Sequence, residues 1–162
     1  MFTWKEIIDI AVQIEKNGEK IYRRAAGQIA DPDLSAALAH MAAEEARHAA
    51  WFEQMPRPGA VEPAHSDLDK MARIFIRDAM TDKALSLETA DFTAMKNVRE
   101  LIRTSLEFEE DTILFFEMIR QFADQKTIKT LLDAIIAEEK KHITTLKNWT
   151  GPKRLSTAAE LP

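Results

Sequence analysis

The sequence predicts an all-α fold, a single four-helix bundle made of two duplicated helical hairpins joined by a long crossover. Three observations predict it. Glycine is scarce, at 4 of 162 residues, while Ala, Leu, Ile, Glu and Lys abound, a balance that favours long helices over a turn-rich sheet. Four segments place their apolar residues at alternating spacings of three and four, the inward row of a bundle. The residues that could carry chemistry in the first half also recur 94 positions later in the second. A chain of 162 residues can bury one continuous core, whereas two domains would each be undersized.

The first helix is expected from Thr3 to Ile29, with the inward row Trp4, Ile8, Ala11, Glu15, Gly18, Tyr22, Ala25 and Ile29. It stops at Asp31-Pro32, where Asp31 can cap the next helix and Pro32 can occupy its first turn. The second helix runs to Met55 with the row Leu34, Leu38, Met41, Glu45, His48, Phe52 and Met55. Pro56, Pro58, Gly59 and Pro63 break it, so residues 56–92 read as the crossover, containing a further helix near Asp67 to Met80 capped by Ser66. The third main helix covers Thr93 to Ala123 with Val98, Ile102, Ser105, Glu109, Thr112, Phe116, Ile119 and Ala123 inward. After a turn at Asp124-Gln125 the fourth continues to Trp149, placing Ile128, Leu132, Ile135, Glu139, His142, Leu146 and Trp149 on the same side. Gly151-Pro152 ends it. The bundle therefore occupies residues 1–150, and 151–162 read as a tail.

Composition removes several function classes. The net charge of -5 is spread without a basic block, so nucleic acid is not an expected partner. No apolar run approaches the length that spans a bilayer, and no charged segment followed by an apolar stretch opens the chain, so no membrane partner and a cytoplasmic location are expected. With no cysteine there is no disulfide, thiolate metal site, iron-sulfur cluster or catalytic thiol, and any metal must use oxygen and nitrogen donors.

Those donors interrupt the four apolar rows midway. Adding 94 to Glu15, Glu45 and His48 gives Glu109, Glu139 and His142. The midpoint of Glu15 and Glu45 falls at residue 30, and that of Glu109 and Glu139 at residue 124, each inside a predicted turn. Antiparallel partners therefore meet level, each glutamate roughly 22 Å from its turn at ~1.5 Å rise per residue. Four carboxylates buried together would repel one another and lose their hydration, and two divalent cations would neutralise them. The Glu-x-x-His spacing of Glu45/His48 and Glu139/His142 sets a carboxylate and an imidazole on one helical face to grip the same ion. One glutamate from each of two helices and one Glu-x-x-His from each of the other two is the known pattern of carboxylate di-metal proteins. One such pair means little; two in register with a second pair of inward glutamates mean much more. Glu44, Glu107, Glu110 and Glu138 fall off the inward rows and are expected at the edge or in solvent, and His40 and His65 are read as ordinary surface histidines. Oxygen and nitrogen donors suit iron or manganese better than copper or zinc, and iron is preferred for its redox range. Gly18 stands one turn from Glu15 in the inward row, where a missing side chain could give a small oxidant access.

The run Glu15-Lys-Asn-Gly-Glu-Lys-Ile-Tyr22, the pairs Glu44-Glu45-x-x-His48 and Glu138-Glu139-x-x-His142, and the run Phe108-Glu109-Glu110-Asp111-Thr112-Ile113-Leu114-Phe115-Phe116 resemble the rubrerythrin branch of the ferritin-like superfamily. The likeness covers both hairpins. It implies two iron ions with Glu45 and Glu139 bridging, Glu15 and Glu109 terminal, and His48 and His142 on one metal each. It also implies reaction with hydrogen peroxide or dioxygen, and a homodimer. A ferroxidase or iron-handling role, and a metal-free interaction bundle, are the alternatives. Three departures limit the transfer. The cysteine-free chain cannot hold a rubredoxin-type centre, so an external electron-donor protein is required. Thr112 stands where rubrerythrins carry an extra glutamate, which puts a peroxide-driven ligand switch in doubt. Tyr22 matches a tyrosine that bonds a ligand carboxylate across the bundle, but its counterpart in the repeat is Phe116, so that bond is expected on one side only.

Overall fold

The computed structural model describes residues 3–56, 87, 90–123 and 125–149. They form four long helices, α1 (Trp4–Ala26), α2 (Pro32–Glu53), α3 (Val98–Phe122) and α4 (Lys126–Lys147), with a short 3-10 turn at Phe92–Ala94. No strand occurs among the described residues, and the protein is an all-α four-helix bundle. The crossover helix expected at Asp67 to Met80, its cap Ser66, and the tail 151–162 lie outside the described residues, as do His65 and Asp124.

Local chemistry explains where the helices start. Thr3 and Glu6 form a reciprocal cap on α1: the Glu6 amide donates to the Thr3 hydroxyl oxygen at 3.2 Å, and the Thr3 amide donates to Glu6 at 2.9 Å. Asp31 accepts from the amides of Asp33 and Leu34 at 3.0 and 2.9 Å, and Pro32 opens α2, as the sequence indicated. Ser35 donates its hydroxyl to the Ala26 carbonyl at 2.9 Å, satisfying an acceptor that the end of α1 leaves open. The third helix begins later than the expected Thr93. Asn97 accepts from the Glu100 amide at 3.1 Å and caps α3, leaving Phe92–Ala94 as a separate turn.

The expected inward rows are buried through the middle of the bundle and only partly buried at its ends, where Trp4, Ile29, Met55, Val98, Ile102 and Trp149 border the core. Each helix buries a wider face than a single row, taking in Ile7, Ile14, Ile21, Leu101, Phe108 and Phe115 as well, as a globular bundle requires. Within each hairpin the helices pack extensively, whereas the two hairpins approach each other less closely.

The first hairpin is also the tighter of the two. In α1 the buried residues Ala11, Gly18 and Ala25 recur every seventh position, and their counterparts in α3 are the bulkier Ser105, Thr112 and Ile119. Of the three in α1, Gly18 meets α2 closely, where a Cβ would stand 3.3 Å from Cγ of Glu45.

Candidate metal centre

All six residues singled out from the repeat are buried at mid-height: Glu15, Glu45 and His48 from the first hairpin, Glu109, Glu139 and His142 from the second. None is more than 3% exposed, which rules out a solvated acidic face. Their donor atoms fall into three overlapping groups, Glu45/His48/His142, Glu15/His48/Glu139 and Glu109/Glu139/His142, with the atoms of each group within 4.8 Å of one another. Every group draws on α4, and the first two combine both hairpins. Nδ1 of His48 lies 3.6 Å from Glu15 and 3.9 Å from Glu139. The two imidazole rings meet edge to face, their centres 4.6 Å apart.

What these atoms lack is as informative as where they sit. Among the described residues nine buried side-chain oxygens and nitrogens have no hydrogen-bond partner, and eight of them belong to these six residues. Nδ1 of His142 and Oε1 of Glu109 are 3.0 Å apart, close enough for charge attraction but not aligned as a hydrogen bond, so both remain among the eight. Natural proteins rarely leave buried polar atoms unmatched, and a cluster of them marks a place built for something that supplies the missing partners. Acceptor carboxylates and neutral imidazoles call for cations.

Electrostatics points the same way. Burial, aided by neighbouring carboxylates, raises Glu15, Glu45 and Glu139 well above the usual carboxyl range. Burial and the adjacent His142 lower His48 to about 4, so it is neutral and available as a ligand. His142 is itself opposed by burial, yet Glu109 beside it and the charge of Glu45 lift it to about 8. A divalent ion would reverse the logic, holding the carboxylates ionised and the imidazoles neutral.

The surroundings sort as the rows predict. Glu107 and Glu110 are exposed, while Glu44 and Glu138 lie at the edge, paired with Arg47 and Lys141 one turn on, so even the flanking ion pair is duplicated. His40 is on the surface, stacked on Trp149.

Two expectations are corrected. The Tyr22 hydroxyl does not reach a carboxylate; it donates to Ser105 Oγ at 2.7 Å, linking α1 to α3 beside the cluster. The space left by Gly18 is not an opening for an oxidant. A Cβ there would stand 3.3 Å from Cγ of Glu45 and 3.4 Å from its Cδ and Oε2, so the glycine makes room for the Glu45 carboxylate. Ser105 had no assigned role in the sequence, although the repeat held a signal. Tyr22 and Ser105 correspond to Phe116 and Ala11, so the polar pair that joins the two hairpins has an apolar pair as its counterpart under the repeat.

Comparison with known families agrees with this geometry. A model of the rubrerythrin family matches residues 6–150, most of the chain. The chain belongs to the rubrerythrin family. Membership and the carboxylate-histidine cluster together support a non-haem di-metal site. Among solved structures, this rubrerythrin-family chain is similar to a Thermotoga maritima protein assigned to the ferritin-like diiron-carboxylate proteins. That match has 16% identity and a TM-score of 0.47, and covers 90% of this chain and 93% of the other. No curated protein is similar at the same stringency. No helix among the described residues is long and apolar enough to cross a membrane.

Proposed function

We propose that the protein is a di-iron redox protein that reduces hydrogen peroxide, or reacts with dioxygen, using electrons from a separate donor. The observation that carries this reading is the set of eight buried, unpartnered oxygen and nitrogen atoms on six side chains from all four helices. Glu15, Glu45, Glu109 and Glu139, with His48 and His142, would hold the two metals. Four carboxylates balance two divalent charges inside a core that could not otherwise hold them ionised. Iron is preferred over manganese because the donor set suits both and iron has the wider redox range. An iron pair supplies two electrons, which with two protons convert one hydrogen peroxide to two waters. The protein's own contribution is to fix the ligands by packing and keep bulk water away from the centre. No residue of this chain is a thiol, so reduction is assigned to an outside donor protein.

The test compares wild type with a Glu45→Ala, Glu139→Ala double variant by elemental analysis and rapid-mixing spectroscopy. Wild type should carry two irons per chain and its reduced form should be oxidised by peroxide far faster than the variant. Equal rates would remove the enzymatic claim. Light scattering separates this role from iron storage: a dimer fits a redox enzyme, and a hollow shell of many subunits fits storage.

A further inference from the structure

Eight of the nine unpartnered buried atoms belong to the candidate ligands; the ninth is the hydroxyl oxygen of Thr112. Thr112 is 1% exposed, so bulk solvent does not reach it. A helical threonine ordinarily has an easy solution, donating to the carbonyl four residues back. Thr144 and Thr145 do this, bonding Lys140 and Lys141 carbonyls at 2.9 and 3.1 Å. Thr112 does not, although Phe108 lies four residues back in the same helix. Its hydroxyl is thus committed to neither its own helix nor any neighbouring side chain.

Placement puts that donor within one turn of the ligand row: Thr112 is three residues beyond Glu109 on the buried face of α3. The repeat pairs it with Gly18, whose missing side chain faces the Glu45 carboxylate. Under the same offset Glu139 is the counterpart of Glu45, and both of its oxygens are unpartnered. The two halves solve this position differently. On the α1 side the Glu45 carboxylate fills the available space, and on the α3 side the matching position carries a buried, unpartnered hydroxyl.

We propose that Thr112 is a binding residue whose hydroxyl donates a hydrogen bond to a small exogenous ligand at the metal pair, of the chemical class of azide or hydrogen peroxide. The inference rests on the di-metal reading of the site. A hydroxyl held free of its own backbone costs stability unless something accepts from it, and a compact ligand with lone pairs does so without displacing the six donors.

The experiment loads wild type, Thr112→Val and Thr112→Ser with iron, measures iron per chain, and titrates the oxidised proteins with sodium azide by absorption spectroscopy. Valine keeps the volume and removes the donor; serine keeps the donor. Two irons are expected in all three, with azide binding about tenfold weaker in the valine variant and close to wild type in the serine variant, as for loss of one hydrogen bond to an anion. Equal azide affinity in wild type and valine at full iron content would overturn the inference and leave the di-metal reading intact. Iron lost in the valine variant and restored by serine would also overturn it, since the hydroxyl would then serve the metal itself. Failure of wild type to hold two irons would overturn the di-metal reading, and this inference with it.

Discussion

Replacing Gly18 by alanine should raise the stability of the metal-free protein while weakening its hold on metal. Glycine in a helix interior costs about 1 kcal/mol relative to alanine, so the substitution favours α1 by up to that amount. Against it stands the contact that the new methyl group would make, 3.3 Å from Cγ and 3.4 Å from Cδ and Oε2 of Glu45. Carbon atoms are comfortable at about 3.5–4.0 Å, so the carboxylate must retreat by a few tenths of an ångström. Metal-oxygen distances tolerate shifts of only about 0.2 Å. In the metal-free protein Glu45 can move and most of the helix gain survives. In the loaded protein it cannot move freely, and affinity should fall by roughly tenfold, as when groups supporting a metal ligand are disturbed. Urea denaturation of stripped protein reads the first effect, and competition with a calibrated chelator reads the second. Unchanged metal affinity would refute the assignment of Gly18 as the space for Glu45.

Two further outcomes follow from the same geometry. In metal-free protein the raised carboxyls of Glu15, Glu45 and Glu139 contribute stability that is complete below their unfolded value near 4.5 and lost as pH rises through the raised range; His142, at about 8 against 6.5 unfolded, acts likewise between those two values. His48, lowered to about 4, has the opposite sign, but its effect is confined below about 6.5, so the urea midpoint of stripped protein should fall from pH 6.5 to 8. The slope is about 1.4 kcal/mol per pH unit for each proton retained, and metal should abolish it; a flat stripped-protein curve would contradict the placement of these groups. Tyr22→Phe should cost about 1 kcal/mol by removing the bond to Ser105, and adding Ser105→Ala should recover part of that loss by reproducing the apolar residue types of the counterpart positions Phe116 and Ala11. Purely additive losses in denaturation would show that the two groups do not act as a pair.

The bundle was legible because four separate rows keep one period and break it at matching heights, and burial of an apolar face is what fixes a helix in place. The six polar residues were legible for a related reason: duplication turned a weak Glu-x-x-His signal into two copies in register, and the hairpin midpoints gave their level. Whether a side chain's neighbour lies across the bundle is not written in its period. The partner of Tyr22 is 83 positions away, and only the paired exchange with Phe116 and Ala11 hints at it. Gly18 misled because an inward glycine signals close approach without saying whether the space is filled by ligand, solvent or a neighbouring side chain. The third helix starts later than Thr93 because the Asn97 side chain accepts from the Glu100 amide and caps it there, a bond that the apolar period does not reveal.

The wider backbone separation between the hairpins than within either one gives the central cluster a mechanical role. Since the donor groups Glu45/His48/His142 and Glu15/His48/Glu139 take members from both halves, bound ions would act as rivets through the joint between them. Chelation should then loosen the seam between the halves before either half unwinds, and amide exchange should quicken first along the surfaces where one hairpin faces the other.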